Sequence, residues 1–456
     1  DDFVHPEALT YIDGRPWMGV DQFHYDLRLP PWAQTGEHTL ALYGWYGRRD
    51  DYARMGEPNL SRFDAPTRDL YIAATVALET AQLLDKDDPT RHHLLNALDR
   101  AIMRLNLQQP IGDEFYASAR VALAALQEGL AAAGPPLDVD IIATGHAHID
   151  VAWLWPLRQT RLKTARSFSN VLGLMREFPE FHFTQSQPQL YAFLQQDYPE
   201  IFEGVKAQVA AGRWEPTGGM WIEADCNISG GEALVRQVIL GRRYFQENLG
   251  TPGTPILWLP DTFGFPWCLP QLIKGAGLQY FLTSKMSWSQ YNWLPYDSFW
   301  WQGLDGTRIL SHFLTGPSTW KPSPNHYITT YNAELNPWTV HGAWTTYQQK
   351  EGPNKLLVAY GYGDGRFGPT DNVSRAQVIT FITRAFRLDP VQAWVPQPGD
   401  PQPYSGVPAV HDTDVRTFVH YAGPIPGAPS TAAGWNAPAS RAWVAQLLYQ
   451  ALTVQP

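Results

Sequence analysis

The feature that most constrains the fold is an alternation of short apolar runs with helical periodicity between about residues 138 and 387. Gly134, Pro135 and Pro136 end an alanine-rich stretch, and the β-branched run "DVDIIATG" follows at once. Apolar spacing predicts helices, with extended runs between them, near 158–177, 188–211, 230–248, 267–277 and 372–387. This alternation predicts parallel strands joined by helical crossovers, in an open or a closed sheet.

The rest of the chain differs in composition, and 456 residues are enough for two or three domains. Short β-prone runs predict an incomplete β-rich N-terminal region at 1–60. Three helical stretches predict a helical module at 61–137. We place the α/β domain at 138–390, and a Pro-rich segment leading into a truncated helical region at 391–456.

Composition narrows the class of partner. The 34 Lys and Arg against 44 Asp and Glu leave a net charge of −10, which argues against nucleic-acid binding. No apolar run reaches the roughly 18 residues of a membrane-spanning helix, so we expect no membrane association. Two cysteines make no disulfide framework. The 19 Trp, 21 Tyr and 20 Phe suit a flat, partly apolar ligand such as a sugar ring.

Polar residues gather after the predicted strands, most densely in "GHAHIDVAWLWP" at 145–156. On an extended backbone, His146, His148 and Asp150 would project from one face. Imidazole and carboxylate groups suit zinc, and His-x-Asp supplies two ligands from one segment. The alternative is that these residues are hydrogen-bonded structural groups at a strand end.

Two aspartates follow later strands. Asp261, in "LWLPDTFGFP", can attack a carbon, bind a metal or simply cap the following helix. Asp364 lies in the Gly-rich "VAYGYGDGRFGPT", where glycines allow close approach to a ligand but also make ordinary turns.

A third polar group, "GGMWIEADCNISGGE", contains Glu223 and Asp225 beside Trp221. Such side chains can bind sugar hydroxyls next to an aromatic ring. The alternative is local: Ser229 caps the helix predicted from about 230, and Glu232 completes the capping box.

Taken together, six ordered segments resemble the catalytic domain of glycoside hydrolase family 38, the α-mannosidases. They are "HAHIDVAWLWP", "GGMWIEADCN", "LWLPDTFGFP", "TSKMSWSQYN", "SFWWQGLDGTRI" and "YGYGDG". The likeness runs from about 66 to 387 and is greatest to the cytosolic and bacterial branch. It implies an α/β fold with a seven-stranded βα barrel as the catalytic domain, and a C-terminal helical bundle and β domains that are missing from this sequence.

The resemblance also implies an activity and a site. The expected enzyme is a cytoplasmic, retaining, exo-acting α-mannosidase that removes terminal α-linked mannose from oligosaccharides, with zinc, or another divalent cation such as cobalt, as cofactor. His148, Asp150 and Asp261 would bind the metal, Asp261 would also be the nucleophile, and Asp364 the general acid/base. The residues expected to contact substrate are Trp153, Phe263, Lys285, Glu223, Asp225 and His146. The partner is a mannose-containing oligosaccharide, and we allow for a homo-oligomer.

The sequence departs from the family pattern at two places. Arg366 and Phe367 interrupt the glycines after Asp364. The family also supplies a further zinc-ligating His, followed by Asp, after the barrel. His411 precedes an Asp but lies in a Pro-rich stretch, so we expect the true ligand beyond Pro456.

Two other functions compete with this prediction. A zinc-dependent carbohydrate deacetylase also combines His and Asp ligands with a βα barrel, but it uses a metal-bound water rather than a carboxylate nucleophile. A non-catalytic sugar-binding fragment would hold glycans on its aromatic face without cleaving them.

Overall fold

The structure is a computed structural model. It describes residues 7–21, 24, 26–45, 60, 63–107, 112–289, 291–318, 328–351 and 355–361. Asp364, Arg366, Phe367, His411 and the helix predicted near 372–387 lie outside the described residues. The chain divides into two compact units, one of residues 1–151 with 157–366 and one of residues 152–156 with 367–456.

A small antiparallel sheet lies near the N-terminus. It contains β1 (Glu7–Ile12), β2 (Arg15–Val20) and β3 (Leu40–Trp45), in the order β2-β1-β3. The β1–β2 hairpin turns at Asp13 and Gly14, both with positive φ, as the Asp-Gly pair predicts. Glu7 of β1 forms buried ion pairs with Lys163 and Arg166, which tie this sheet to the helix Leu157–Glu177.

Three helices follow, namely α1 (Ala65–Leu83), α2 (Pro89–Ile102) and α3 (Asp113–Ala133). Asp64 and Asp88 accept backbone N–H bonds at the starts of α1 and α2, and Pro occupies the first turn of each. The helices bury a shared core that includes Leu70, Leu98 and Leu126.

The larger region is a mixed α/β fold. Its strands are β4 (Asp140–His146), β5 (Phe183–Gln185), β6 (Trp214–Pro216), β7 (Ile256–Trp258), β8 (Tyr280–Thr283), β9 (Ser298–Gln302), β10 (Arg308–Phe313) and β11 (Lys355–Gly361). Its helices are α4 (Leu157–Glu177), α5 (Pro188–Asp197), α6 (Pro199–Ala210), α7 (Gly231–Leu249), α8 (Leu269–Gly275) and α9 (Pro337–Thr346). None of the helices in the described part of the chain has the length and apolar character that a bilayer-spanning segment needs.

These strands form two four-stranded sheets in the described residues. One has the order β11-β4-β5-β6 and is parallel throughout; the other has the order β7-β8-β10-β9, in which only β9 runs antiparallel to its neighbour. The expected parallel α/β class is therefore confirmed, whereas a closed seven-stranded barrel stays a prediction.

The structure corrects two secondary-structure expectations. The helix predicted over 188–211 is two helices, because Pro199 begins a new helix and the backbone of Tyr198 is not helical. Helix α9 was not expected at all. It begins with a capping box between Asn336 and Thr339, and Pro337 occupies its first turn.

The contact of α7 with the loop after β6 yields a stability prediction. A Cβ at Gly241 would lie 2.3 Å from the carbonyl oxygen of Gly219, so Gly241→Ala forces the helix and the loop apart. We expect Gly241→Ala to lower the free energy of unfolding by about 1–3 kcal/mol, measured by urea denaturation. Gly275→Ala in α8 is the control, since nothing lies within 4 Å of its Cβ position. Equal stability of the two variants would contradict this packing.

Candidate metal centre

The His148 imidazole lies between three carboxylates. Its Nε2 is 3.4 Å from Asp150 Oδ1 and 3.4 Å from Asp261 Oδ2. Its Nδ1 is 3.2 Å from Glu223 Oε2. The exposed fraction of these side chains is 8% for His148, 6% for Glu223, 10% for Asp261 and 25% for Asp150, so the cluster is largely withdrawn from solvent.

Strand topology explains why these distant residues meet. His148 and Asp150 follow β4, Glu223 follows β6, and Asp261 follows β7. Loops that leave the carboxyl ends of parallel strands lie on one side of their sheet. Here β4 and β6 belong to one sheet and β7 to the other, and their loops meet at the His148 ring. Strand β4 ends at His146, so His148 and Asp150 lie in the following loop. The expectation that all three project from one strand face is therefore wrong.

Lys285 contacts the second oxygen of Asp261. It begins the short 3-10 helix after β8, and its Nζ lies 2.9 Å from Asp261 Oδ1 and 3.5 Å from the ring centre of Trp288. Burial by itself would raise the pKa of Asp261, but His148 and the Lys285 ammonium outweigh it and hold that pKa below its usual value. The carboxylate form of Asp261 is thus favoured despite burial.

The environment of His148 favours positive charge. Burial by itself would lower the pKa of His148, yet Glu223, Asp150 and Asp261 together raise it well above its usual value. A metal ion binds the neutral imidazole and so takes the place of that proton. With His148 neutral, three carboxylates and the Lys285 ammonium leave two net negative charges, which one divalent cation would neutralise.

The donor geometry also suits a metal ion. His148, Asp150 and Asp261 each offer an atom within 4.8 Å of the others. Two ligands each about 2.1 Å from a tetrahedral ion lie about 3.4 Å apart, as in zinc sites. The two His148 Nε2 to carboxylate distances match that spacing. The described residues therefore contain a group that can hold a metal ion.

Comparison with known proteins identifies the family. The N-terminal domain of the glycosyl hydrolases family 38 matches residues 138–383, which is more than half of the chain. The chain belongs to glycosyl hydrolase family 38. The resemblance inferred from the six sequence segments is confirmed.

Several relatives of this family 38 chain are named α-mannosidases. Alpha-mannosidase G of Dictyostelium discoideum is 39% identical, over 50% of this chain and 20% of the relative. Alpha-mannosidase 2C1 of Homo sapiens is 34% identical over 70% of this chain and 29% of the relative. The alpha-mannosidase of Saccharomyces cerevisiae is 33% identical over 68% and 28%. This chain thus spans less than a third of the length of these relatives.

The expected substrate-binding residues of this family 38 chain fall in different environments. Phe263 is 53% exposed and its ring centre lies 5.1 Å from Lys285 Nζ, so it presents an apolar face beside Asp261. Trp153 belongs to the second compact unit, where its ring makes an edge contact with Trp155. Its expected sugar contact stays a prediction.

Two other expected substrate-binding residues, His146 and Asp225, have local hydrogen-bond partners. His146 is fully buried, and its Nδ1 lies 2.9 Å from the carbonyl oxygen of Thr184. Asp225 accepts the backbone N–H groups of Asn227 and Ile228, at 2.8 and 3.0 Å. His146 is thus enclosed, whereas Asp225 is exposed and stabilises its own turn, and the substrate contacts expected of both stay predictions.

Sequence reasoning did not identify Tyr331. Its ring centre lies 4.9 Å from that of His148. Burial, reinforced by the negative charge of Asp261, raises the pKa of Tyr331 well above its usual value, so the phenol stays protonated and able to donate. The residue follows no strand and has no metal-ligand spacing, so no sequence signal marks it.

The proposed ligand group gives a direct binding prediction. We expect His148→Ala to abolish stoichiometric zinc binding, measured as metal content after dialysis, because it removes the nitrogen shared by both carboxylate contacts. The control is His92→Ala in α2, an exposed histidine whose Nε2 lies near a backbone carbonyl. Retention of one tightly bound zinc by His148→Ala would contradict the site.

Proposed function

We propose that the protein is a zinc-dependent, retaining, exo-acting α-mannosidase that releases terminal α-linked mannose from oligosaccharides. The single observation that carries this proposal is the setting of Asp261. It is a mostly buried carboxylate with one oxygen 3.4 Å from His148 Nε2 and the other 2.9 Å from Lys285 Nζ. The names of the family 38 relatives support mannose as the sugar.

His148, Asp150 and Asp261 would hold the metal. When bound, zinc would supply a Lewis-acidic centre that positions vicinal sugar hydroxyls beside the nucleophile. The carboxylates compensate its charge, which makes binding in this buried setting favourable. Phe263 would contact the apolar face of the sugar, because its ring is exposed next to Lys285.

The reaction would proceed by two displacements. An Asp261 oxygen attacks the anomeric carbon as the glycosidic bond breaks, and the leaving oxygen takes a proton from Asp364. In the second step Asp364 removes a proton from water, the water oxygen attacks the same carbon, and Asp261 is released. Asp364 lies outside the described residues, so its role and the expected carboxyl separation of about 5 to 5.5 Å are part of the proposal.

We also propose that the two sheets close into a seven-stranded βα barrel formed by β4, β5, β6, β7, β8, β10 and β11. At one junction, the Thr254 N–H donates to the Pro216 carbonyl at 3.0 Å. At the other, His312 Nε2 lies 3.3 Å from the Leu357 carbonyl. A cytoplasmic location and a helical module at 61–137 preceding the barrel are further parts of this proposal.

Activity and mechanism can be tested in one series. With zinc supplied, we expect release of nitrophenol from nitrophenyl α-mannoside, and loss of release on chelation. Asp261→Ala should lower kcat by about 10³-fold or more, and azide should restore turnover by forming the mannosyl azide. Asp87→Ala, at an exposed position in the α1–α2 loop, is the control.

Deacetylation of an acetylated sugar without release of nitrophenol would favour the deacetylase, and mannose binding without any turnover would favour a sugar-binding fragment.

Lys285 gives an independent prediction. Lys285→Met removes the cation 2.9 Å from Asp261, so the ionised nucleophile loses electrostatic stabilisation. We expect kcat to fall by about 10²-fold, measured by steady-state kinetics, while zinc content is retained. Lys274→Met, an exposed lysine at the end of α8, should leave kcat unchanged. Unchanged kcat in Lys285→Met would exclude a role for this ammonium.

A further inference from the structure

We propose that Glu223 is a positioning residue that orients His148, rather than a group that binds sugar hydroxyls. Its carboxylate would accept the Nδ1–H of His148, so that Nε2 presents a lone pair towards Asp150 and Asp261. This inference rests on the proposed metal-dependent function, because the oriented nitrogen is the one that would bind the metal.

The contact is close and enclosed. Glu223 Oε2 lies 3.2 Å from His148 Nδ1, and 6% of the Glu223 side chain is exposed. Neither atom has an aligned hydrogen-bond partner within the described part of the chain. A hydrogen bond between them would satisfy two buried polar atoms at once. A carboxylate this enclosed has little surface to offer a sugar.

Glu223 is itself held from two sides. Ser186 Oγ donates to Glu223 Oε1 at 2.6 Å, which leaves Oε2 for His148. The Gln187 side chain accepts the backbone N–H of Glu223 at 3.3 Å and donates to the Ile149 carbonyl at 2.9 Å. Gln187 therefore links the Glu223 loop directly to the backbone between His148 and Asp150.

The backbone at Gln187 is unusual for this residue type. Its φ is 64°, in the left-handed region that non-glycine residues seldom adopt, and its side chain is buried. Such conformations cost about 1–3 kcal/mol and persist where the surroundings impose them. The hydrogen bonds of Gln187 to the two loops thus offset the cost of its backbone conformation. These bonds keep Glu223 in place.

The chemical effect follows from imidazole tautomerism. A neutral imidazole carries one proton, and a carboxylate at Nδ1 fixes that proton there. Nε2 is then free to bind a cation, and the carboxylate increases its basicity. Glu223 would therefore strengthen metal binding without contacting the metal or the substrate.

The same pocket suggests one rival arrangement. His146, His148 and Glu223 also offer donor atoms within 4.8 Å of one another, so they could hold a second cation. His148 would then bind one metal at each ring nitrogen and lose both ring protons. The hydrogen bond requires no such loss, so it is the arrangement that we propose.

The test compares zinc affinity in three variants of the protein, measured by competition with a chromophoric chelator. We expect Glu223→Ala to weaken zinc binding by about 10–100-fold, with one zinc per chain in the wild type. Glu223→Gln should lose less zinc affinity than Glu223→Ala, because its amide oxygen can still accept the Nδ1–H of His148. The matched control is Glu215→Gln on β6, an exposed residue with the same charge change, which should bind zinc as the wild type does. The free energy of unfolding of Glu223→Gln, measured in the presence of chelator, should equal that of the wild type.

Three outcomes would overturn the proposal. The first is that Glu223→Ala binds zinc with the affinity of the wild type. The second is that the wild type binds two zinc ions per chain and Glu223→Ala binds one. The third is that the wild type binds no zinc. The third outcome would also refute the metal-dependent function. A wild type that binds zinc but releases no mannose would refute the function alone, and the affinity series would still decide the role of Glu223.

Discussion

The site depends on one imidazole enclosed by carboxylates. His148 has carboxylate oxygens near both ring nitrogens, and Lys285 balances only part of that negative charge. Burying unbalanced charge is costly, so such a cluster is stable when a cation completes it. The bound metal, the ionised nucleophile and the orienting glutamate that we propose are three consequences of this single charge arrangement.

The fold determines where that cluster forms. Strands β4 and β6 belong to one sheet and β7 and β8 to the other, and the segment after each strand brings one or two of the charged groups. Beneath the loops, Phe168, Phe183, Trp214 and Phe245 pack in a buried core that fixes the strands. The strands packed on this core and the loops that follow them hold the charged atoms 2.9–3.4 Å apart.

The parts of this arrangement that could be predicted are those with a local signal. Apolar periodicity predicted α4 and α7 to within two residues, and polar residues after apolar strands identified His148, Asp150 and Asp261. The break at Pro199 and the early end of β4 at His146 were missed, because periodicity alone does not define element boundaries. The orienting role that we propose for Glu223 has no sequence signal, because its contacts with His148 and Ser186 exist only in three dimensions.

The central claim is that a single divalent cation binds jointly to His148, Asp150 and Asp261. Anomalous diffraction at the zinc edge, from crystals of the zinc-loaded protein, tests it most directly. The account predicts one strong peak about 2.0–2.2 Å from His148 Nε2 and from an oxygen of each aspartate. A zinc peak that lies away from Asp261, or that is bound through Nδ1 of His148, would contradict it.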